Sequence, residues 1–592
     1  MTRQYSEMQK KLMEVALGTR APDLAVRNVD LFNVWTGRIQ ENVMVLVCED
    51  RIAHVGPEDD SVPRDAGTQV VDGRGRVLIP GLIDSHTHLA WLVRPEEYVR
   101  HMLPGGTTTV ITETMEIYPV AGKEGITAFL DALKPQPLRF YATLPAMGAI
   151  DPEMMGIDPD DLEALLAREE VVGLGEAYWQ SVFQNPDRFL PVFDRVRRAG
   201  KCLEGHSAGA RGRKLSAYAG LNITSCHEPI TADQVVERLE KGLHVQIREG
   251  SIRSDLSAIA SISGQGLDLS NVSLVSDGVT PERLLARGYM EDLVQASIDA
   301  GFRPEDAIRM ATLNPARHFR LDQDIGSVAP GRYADMVLVP DLGTIRPEMV
   351  IAGGRIAARN QELLLPCVQS GFTARHLNTV DTRGPVTPER FEVVADTNES
   401  RIHVRAIEFV TGLVTVEHIC DLSVSGGRVM PDPERDILKV VVLDRAGTPG
   451  KTFTGFVKGF GLNRGAVATS AAWDSPEIIA VGENDRDIAL AVSEIARNKG
   501  GIVLAGNGEI VSSLALPVFG LLSCMTMEAA ARKTAELTRE IRAAGCGFDD
   551  PLLSLSTLTG AAVPYLRISS RGLVDMKTGS RVSLFPGHSA SM

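Results

Sequence analysis

Hydrophobic and polar positions change their period several times along this chain. From Asp23 to about Ile79 they alternate, in runs such as LAVRNVDLFNV, NVMVLVCEDRIAHVG and QVVDGRGRVLIP. Alternation punctuated by Gly and Asp turns predicts short, half-buried strands. From residue 80 the pattern changes. Short apolar or β-branched runs are now separated by amphipathic stretches such as LPVFDRVRRAG and TADQVVERLEKG. Strands alternating with helices predict a parallel sheet. The strand candidates fall at 81–88, 107–113, 139–145, 171–177, 201–206, 222–227, 243–249 and 272–277. About eight strand–helix units in roughly 250 residues is the measure of a (β/α)8 barrel, whose active site lies at the C-terminal strand ends. Alternation returns in GSVAPGRYADMVLVPDLGTIRPEMVIAGGRI, near 326–358. Beyond 370 the chain starts afresh with the strands HVRAIEF and LKVVVLDR, then the helices DRDIALAVSEIARNKG and MEAAARKTAELTREIRAAG.

The expected fold class is α/β. A TIM-like (β/α)8 barrel occupies 80–325. A small β-sandwich satellite domain is built from both flanks, 1–79 (with a short N-terminal helix) and 326–369. An α+β C-terminal domain fills 370–592.

The segment VLIPGLIDSHTHLA carries the first candidate chemistry. In a strand, positions i and i+2 face the same way, so His86 and His88 converge on one point. A His-x-His pair also arises by chance, and further ligands at strand ends decide the matter. Glu176 ends VVGLGEAY, His206 ends KCLEGHS, His227 ends LNITSCHE and Asp277 ends NVSLVSDG. These four imidazoles and two carboxylates exceed the three protein ligands of one catalytic zinc. They suit two divalent ions sharing a bridge. A donor set of N and O without sulfur permits Mn, Fe or Zn. The plain alternative for Glu176 is a salt-bridged carboxylate at the barrel rim. Glu116, in the loop ETMEI, is either a site carboxylate or a solvated one. Arg248, Glu249 and Ser251, near the end of the seventh strand, are either substrate contacts or a rim ion pair with a turn serine.

The order His-x-His, carboxylate, His, His, Asp resembles the amidohydrolase superfamily. Several of its members carry a carboxylated lysine where Glu176 stands here. That glutamate, with GTTTV, GLGE, the His227–Glu228 pair, IREGS and ATLNPA, is similar to the bacterial adenine deaminases. So are GFVKGFGLNRGAVATS, VGENDRDIALAV, LPVFGLLS, DPLLSLSTL and RGLVD, so the resemblance covers almost the whole chain. It implies hydrolytic deamination of adenine to hypoxanthine and ammonia by a metal-activated hydroxide. His86, His88 and Asp277 would hold one ion, His206 and His227 the other, and Glu176 would bridge them, with iron or manganese favoured. Asp277 would shuttle the proton, and Glu116 would be the acid facing ring nitrogen N1.

Two departures from the family pattern fall in the loops. DPHEI reads ETMEI, placing Met115 where the family has His. The second acidic residue after Asp277 is replaced by Gly278. They keep open a related amidohydrolase acting on another 6-substituted purine, an aminated heterocycle or a cyclic amide. A catalytically silent scaffold is the weakest reading, because all six ligands are kept.

Composition narrows the partners. The chain has 592 residues, 44% hydrophobic and 23% charged, as in ordinary globular proteins. A formal charge of −15 without a Lys/Arg-rich run argues against nucleic acid or an anionic membrane as the main partner; the small-molecule purine partner is what the family resemblance implies. Seven scattered cysteines form no CxxC pair, so neither a thiol zinc site nor a disulfide framework is indicated. The N-terminus does not read as a signal peptide, and no stretch of about 18 apolar residues occurs. A cytoplasmic homodimer or higher homo-oligomer is expected. No phosphate-loop glycine motif is present, nor the H-x-E and P-C-x-x-C pair of deaminases acting on flipped bases.

Overall fold

The computed structural model describes residues 2–146, 150, 156–446, 448–562 and 565–587. Eight parallel strands position the site. They are β1 (Leu82–Thr87), β2 (Thr107–Thr112), β3 (Arg139–Leu144), β4 (Val171–Tyr178), β5 (Cys202–His206), β6 (Ser225–Cys226), β7 (His244–Arg248) and β8 (Val272–Val275). Strands β1 to β5 pair in sequence order in one sheet, and β6 to β8 in another. All these pairings are parallel. The two arcs are stitched at both edges. Thr224 N, just before β6, donates to Leu203 O in β5 at 2.8 Å, and Asp277 N, just after β8, donates to His86 O in β1 at 3.0 Å. Every residue of β1, β2, β4, β5, β7 and β8 is buried. Burial on both faces explains why these strands read as continuous apolar runs.

Helices cross back between the strands, and several open on proline. Pro95–Met102, Pro159–Leu166, Pro186–Arg198 and Pro281–Arg287 are examples. Proline suits a first helical position, where its missing N–H is not needed. Thr280 caps the last of these by accepting from Arg283 N, which fixes the loop leaving Asp277.

The flanks of this sheet join each other. Val77–Pro80 pairs antiparallel with Met336–Val339, so strands from both sides of the chain share one nine-stranded sheet. Leu24, Val26, Val45, Leu78, Met336 and Ile351 pack together on one side of it. Ala25, Met44 and Leu46 pack with Val15 of the helix Thr2–Ala16. A second nine-stranded sheet runs through 401–515, with the helix Asp485–Arg497 packed on it. This C-terminal part is tied to the parallel strands by Leu522–Ser523, which pairs with Leu92–Val93. Among the described residues, no helix is long and apolar enough to cross a membrane.

Candidate active site

The six strand-end residues meet. Ligand atoms of His86, His88, Glu176 and Asp277 lie within 4.8 Å of one another, and so do those of Glu176, His206 and His227. Glu176 belongs to both groups. Its Oε1 is 3.3 Å from His86 Nε2, 3.2 Å from His88 Nε2 and 3.6 Å from His227 Nε2, while Oε2 is 3.2 Å from His206 Nδ1. Asp277 Oδ1 is 3.1 Å from His86 Nε2 and 3.7 Å from His88 Nε2.

The backbone makes this convergence possible. Asp277 takes a left-handed φ of 57°, which Asp tolerates better than most residues. That turn is braced from β1, where buried Asp84 accepts from Tyr289 O–H at 2.5 Å and from Ser276 N at 3.3 Å. Gly278, next in line, has φ 118°. A side chain there would be strained, so the turn disfavours the second acidic residue of the family pattern.

The donor set fits a metal. His206 Nε2 is buried without a hydrogen-bond partner, and His206 Nδ1 lies only 3.1 Å from His227 Nε2. Electrostatics point the same way. Burial alone would lower the pKa of His86, yet Asp277 and Glu176 raise it to about 10. Burial likewise opposes the charge on His206, but Glu228 and Glu176 raise it to about 9. His227, held down by burial and by His86, is the exception. Burial would push Glu176 up, but His227 and the other imidazoles hold it well below the usual range. The site is a concentrated negative potential, which a divalent cation can occupy by displacing protons.

Two carboxylates stand behind the imidazoles. Glu113 Oε1 lies 3.5 Å from His86 Nδ1, and Glu116 Oε1 lies 2.5 Å from His88 Nδ1. Glycine in GLGE makes room for the first of these, because a Cβ on Gly175 would collide with the Glu113 carboxylate. Burial and the charge of Glu176 raise the Glu113 pKa to about 8, against the pull of His86. Carboxylates that grip the far nitrogen of a ligating imidazole orient the ring and strengthen it as a donor.

Glu116 was expected to face the substrate, but the structure sets it behind His88 and outside the cavity lining. Glu116→Ala is therefore expected to weaken metal retention or activity by about 10–100-fold. Chelator titration with metal analysis checks it. A loss confined to kcat, at unchanged metal content, would return Glu116 to the substrate side. Met115 is buried in the core.

The mouth of the site is a cavity of about 250 Å3, lined by His88, Glu176, His206, His227, Asp277 and Arg248 among others. Of the three expected substrate contacts, only Arg248 is on that lining. It bonds to Glu228, lies 3.4 Å from Asp277 Oδ2 and donates through Nε to Asp255 at 3.1 Å. Glu249 turns away to accept from Ser254 Oγ at 2.7 Å and Arg283 Nη2 at 3.2 Å. Ser251 Oγ accepts from Thr280 N at 2.8 Å, bracing the loop after Asp277. Ile252 and Arg253 reach the cavity instead.

Several further residues complete the site, and sequence reasoning gives none of them a role there. Glu228 lies 3.3 Å from His227 Nε2 and 3.6 Å from His206 Nδ1. Burial would raise its pKa, but Arg248 and His206 drive it far down, so it is a fixed anion. Trp473, Leu553 and Thr557 arrive on the cavity wall from the C-terminal part.

The amidohydrolase family model matches residues 77–358, and the adenine deaminase C-terminal domain model matches 412–580. An adenine deaminase of Moorella thermoacetica is 33% identical, covering 99% of each chain. The chain belongs to the adenine deaminase family. Other members are comparably similar along their whole length. That of Rubrobacter xylanophilus is 34% identical over 96% of each chain, and that of Clostridium botulinum is 31% identical over 99% of this chain and 98% of its own. The alignment of entire chains ties this family to both the parallel strands and the C-terminal part.

Proposed function

We propose that this chain hydrolyses adenine to hypoxanthine and ammonia at a centre of two divalent metal ions. The observation that carries this reading is the position of Glu176, common to both ligand groups, in a chain that aligns end to end with adenine deaminases. His86, His88 and Asp277 would hold one ion, His206 and His227 the other, and Glu176 would serve both. Donors of nitrogen and oxygen suit manganese or iron, with zinc also accommodated. A pair of such ions supplies an acidified water as nucleophile at neutral pH.

The chain's own residues then handle the protons. Burial would raise the Asp277 pKa, but His86, His88 and Arg248 hold it well below the usual range. Asp277 is therefore ionised near neutrality, ready to accept a proton from the attacking water and pass it to the departing amine. Arg248 fixes Asp277 and Glu228 relative to each other, which sets the direction of that transfer. Charge developing on the ring nitrogens needs a fixed, water-poor environment. Ile230, Ile252 and Leu413 supply apolar lining for it.

The same proposal extends to the architecture. The two parallel arcs form one (β/α)8 barrel at 80–325. The flanks 1–79 and 326–369 form a β-sandwich satellite, and 370–592 is an α+β C-terminal domain. All seven cysteines are free thiols, in keeping with a reducing cytoplasm. A homodimer or higher homo-oligomer is the proposed assembly.

The test is product analysis with manganese-loaded protein on adenine, other 6-substituted purines and cyclic amides. The expected result is stoichiometric hypoxanthine and ammonia from adenine. Turnover of another aminated heterocycle, with adenine untouched, would overturn the substrate assignment and keep the hydrolase.

A further inference from the structure

The parallel strands supply every candidate ligand, but they do not complete the cavity. Leu413, Val414, Trp473, Leu553 and Thr557 line it too, and all five come from the C-terminal part of the chain. Trp473 reaches a candidate ligand. Its ring centroid is 4.9 Å from that of His88, at 53°. Trp91 packs edge-on against it at 5.9 Å, and only 7% of Trp473 is exposed.

This placement is held by specific contacts. Trp473 N donates to Ser556 O at 3.0 Å, and Thr559 Oγ1 donates to Trp473 O at 3.0 Å. Asp474 follows with a left-handed φ of 55°. Its Oδ2 accepts from Tyr178 O–H at 2.7 Å, and Tyr178 lies two residues beyond Glu176 on β4. Asp tolerates that backbone region better than most residues, and the Tyr178 hydrogen bond fixes its side chain there. The C-terminal part is thus latched onto the ligand-bearing strand, and the latch sits beside an indole facing the cavity.

We propose that Trp473 is a substrate-binding residue. Its indole packs on the flat heteroaromatic ring of the substrate and fixes that ring over the ligand cluster. This rests on the purine reading of the same site. An aromatic side chain offers a large, rigid face at little entropic cost, and stacking a base on such a face is worth about 1–3 kcal/mol. A cavity of about 250 Å3 lies below the ~300–1,000 Å3 of drug-sized pockets and suits one bare bicyclic heterocycle. In this account the C-terminal domain is part of the binding site, and its removal would leave a metal centre without a substrate wall.

The experiment compares wild type, Trp473→Ala and Trp473→Phe in the full chain, loaded with manganese, with metal content and thermal midpoint measured for each. Trp473→Ala is expected to raise KM for adenine by about 5- to 150-fold, with a smaller change in kcat and an unchanged metal content. Trp473→Phe, which keeps an aromatic face, should stay within about 5-fold of wild type. A Trp473→Ala variant with wild-type KM overturns the proposal.

Should Trp473→Ala fail to fold, fluorescence decides. Unsubstituted purine should quench wild-type tryptophan emission, and Trp473→Phe should lose that quenching while still binding purine in a calorimeter. Equal quenching in both overturns the stacking role. A wild type that neither binds purine nor deaminates adenine overturns this proposal together with the function on which it rests. An active wild type with unaffected variants overturns the stacking role alone.

Discussion

Asp277→Asn is expected to lower adenine turnover by about 10^2–10^4-fold, the usual contribution of a positioned acid–base group. Its two carboxylate oxygens do different work. Oδ1 faces His86 and His88, while Oδ2 faces Arg248 Nη1 at 3.4 Å. Asparagine keeps one carbonyl oxygen for the ligand side but carries no group that can accept the water's proton. The substitution is also clean in the backbone, because Asn adopts the left-handed φ of this position as readily as Asp does. Most of the bound metal should therefore survive. Steady-state kinetics with metal analysis on the same samples checks both halves. Normal turnover would remove Asp277 from the proton path.

Glu176→Gln should have the largest effect on metal content. Among the described residues, Glu176 alone is paired with His86, His88, His206 and His227 at once. Glutamine keeps the shape and removes the charge. Four imidazoles would then surround a neutral amide, and the negative potential that favours a divalent cation would fall mainly to Asp277 and Glu228. Retention of metal after dialysis should drop by more than the 10–100-fold typical of an outer-shell partner, and activity should fall with it. Two tightly held equivalents in this variant would contradict the bridging role.

Much of this site is legible in the sequence because β-strands impose a period of two. His86 and His88 are i and i+2 at the end of one strand, and Glu176, His206, His227 and Asp277 each end or follow a buried, largely apolar run. The same rule explains why Glu249 is not on the cavity. It is one residue beyond Arg248, so it turns to the opposite side and braces Arg283 instead. Sequence alone left that pair together as substrate contacts, and alternation would have separated them.

Glu116 was harder to place. It lies in a loop where no period applies, and only tertiary packing decides which side of His88 it occupies. Gly278 is similar. Its identity reads as a lost acidic residue until the φ of 118° shows that the turn itself favours glycine.

Trp473 and Asp474 carry no local signal at all. They lie about 300 residues from Glu176 in sequence and meet the site through the contacts of Trp473 with His88 and Asp474 with Tyr178. No motif spacing encodes such a meeting. The strand Leu522–Ser523, which docks the C-terminal part beside Leu92–Val93, is too short to stand out from its surroundings.

The most direct test of the account is a single preparation assayed twice. Metal per chain is measured by mass spectrometry after manganese loading and desalting, and hypoxanthine formed from adenine is measured in the same sample. The account predicts about two metals per chain, as expected for this site type, with turnover that rises with occupancy and vanishes on chelation. Full turnover in protein stripped of metal, or a fully loaded protein that leaves adenine unchanged, would contradict it.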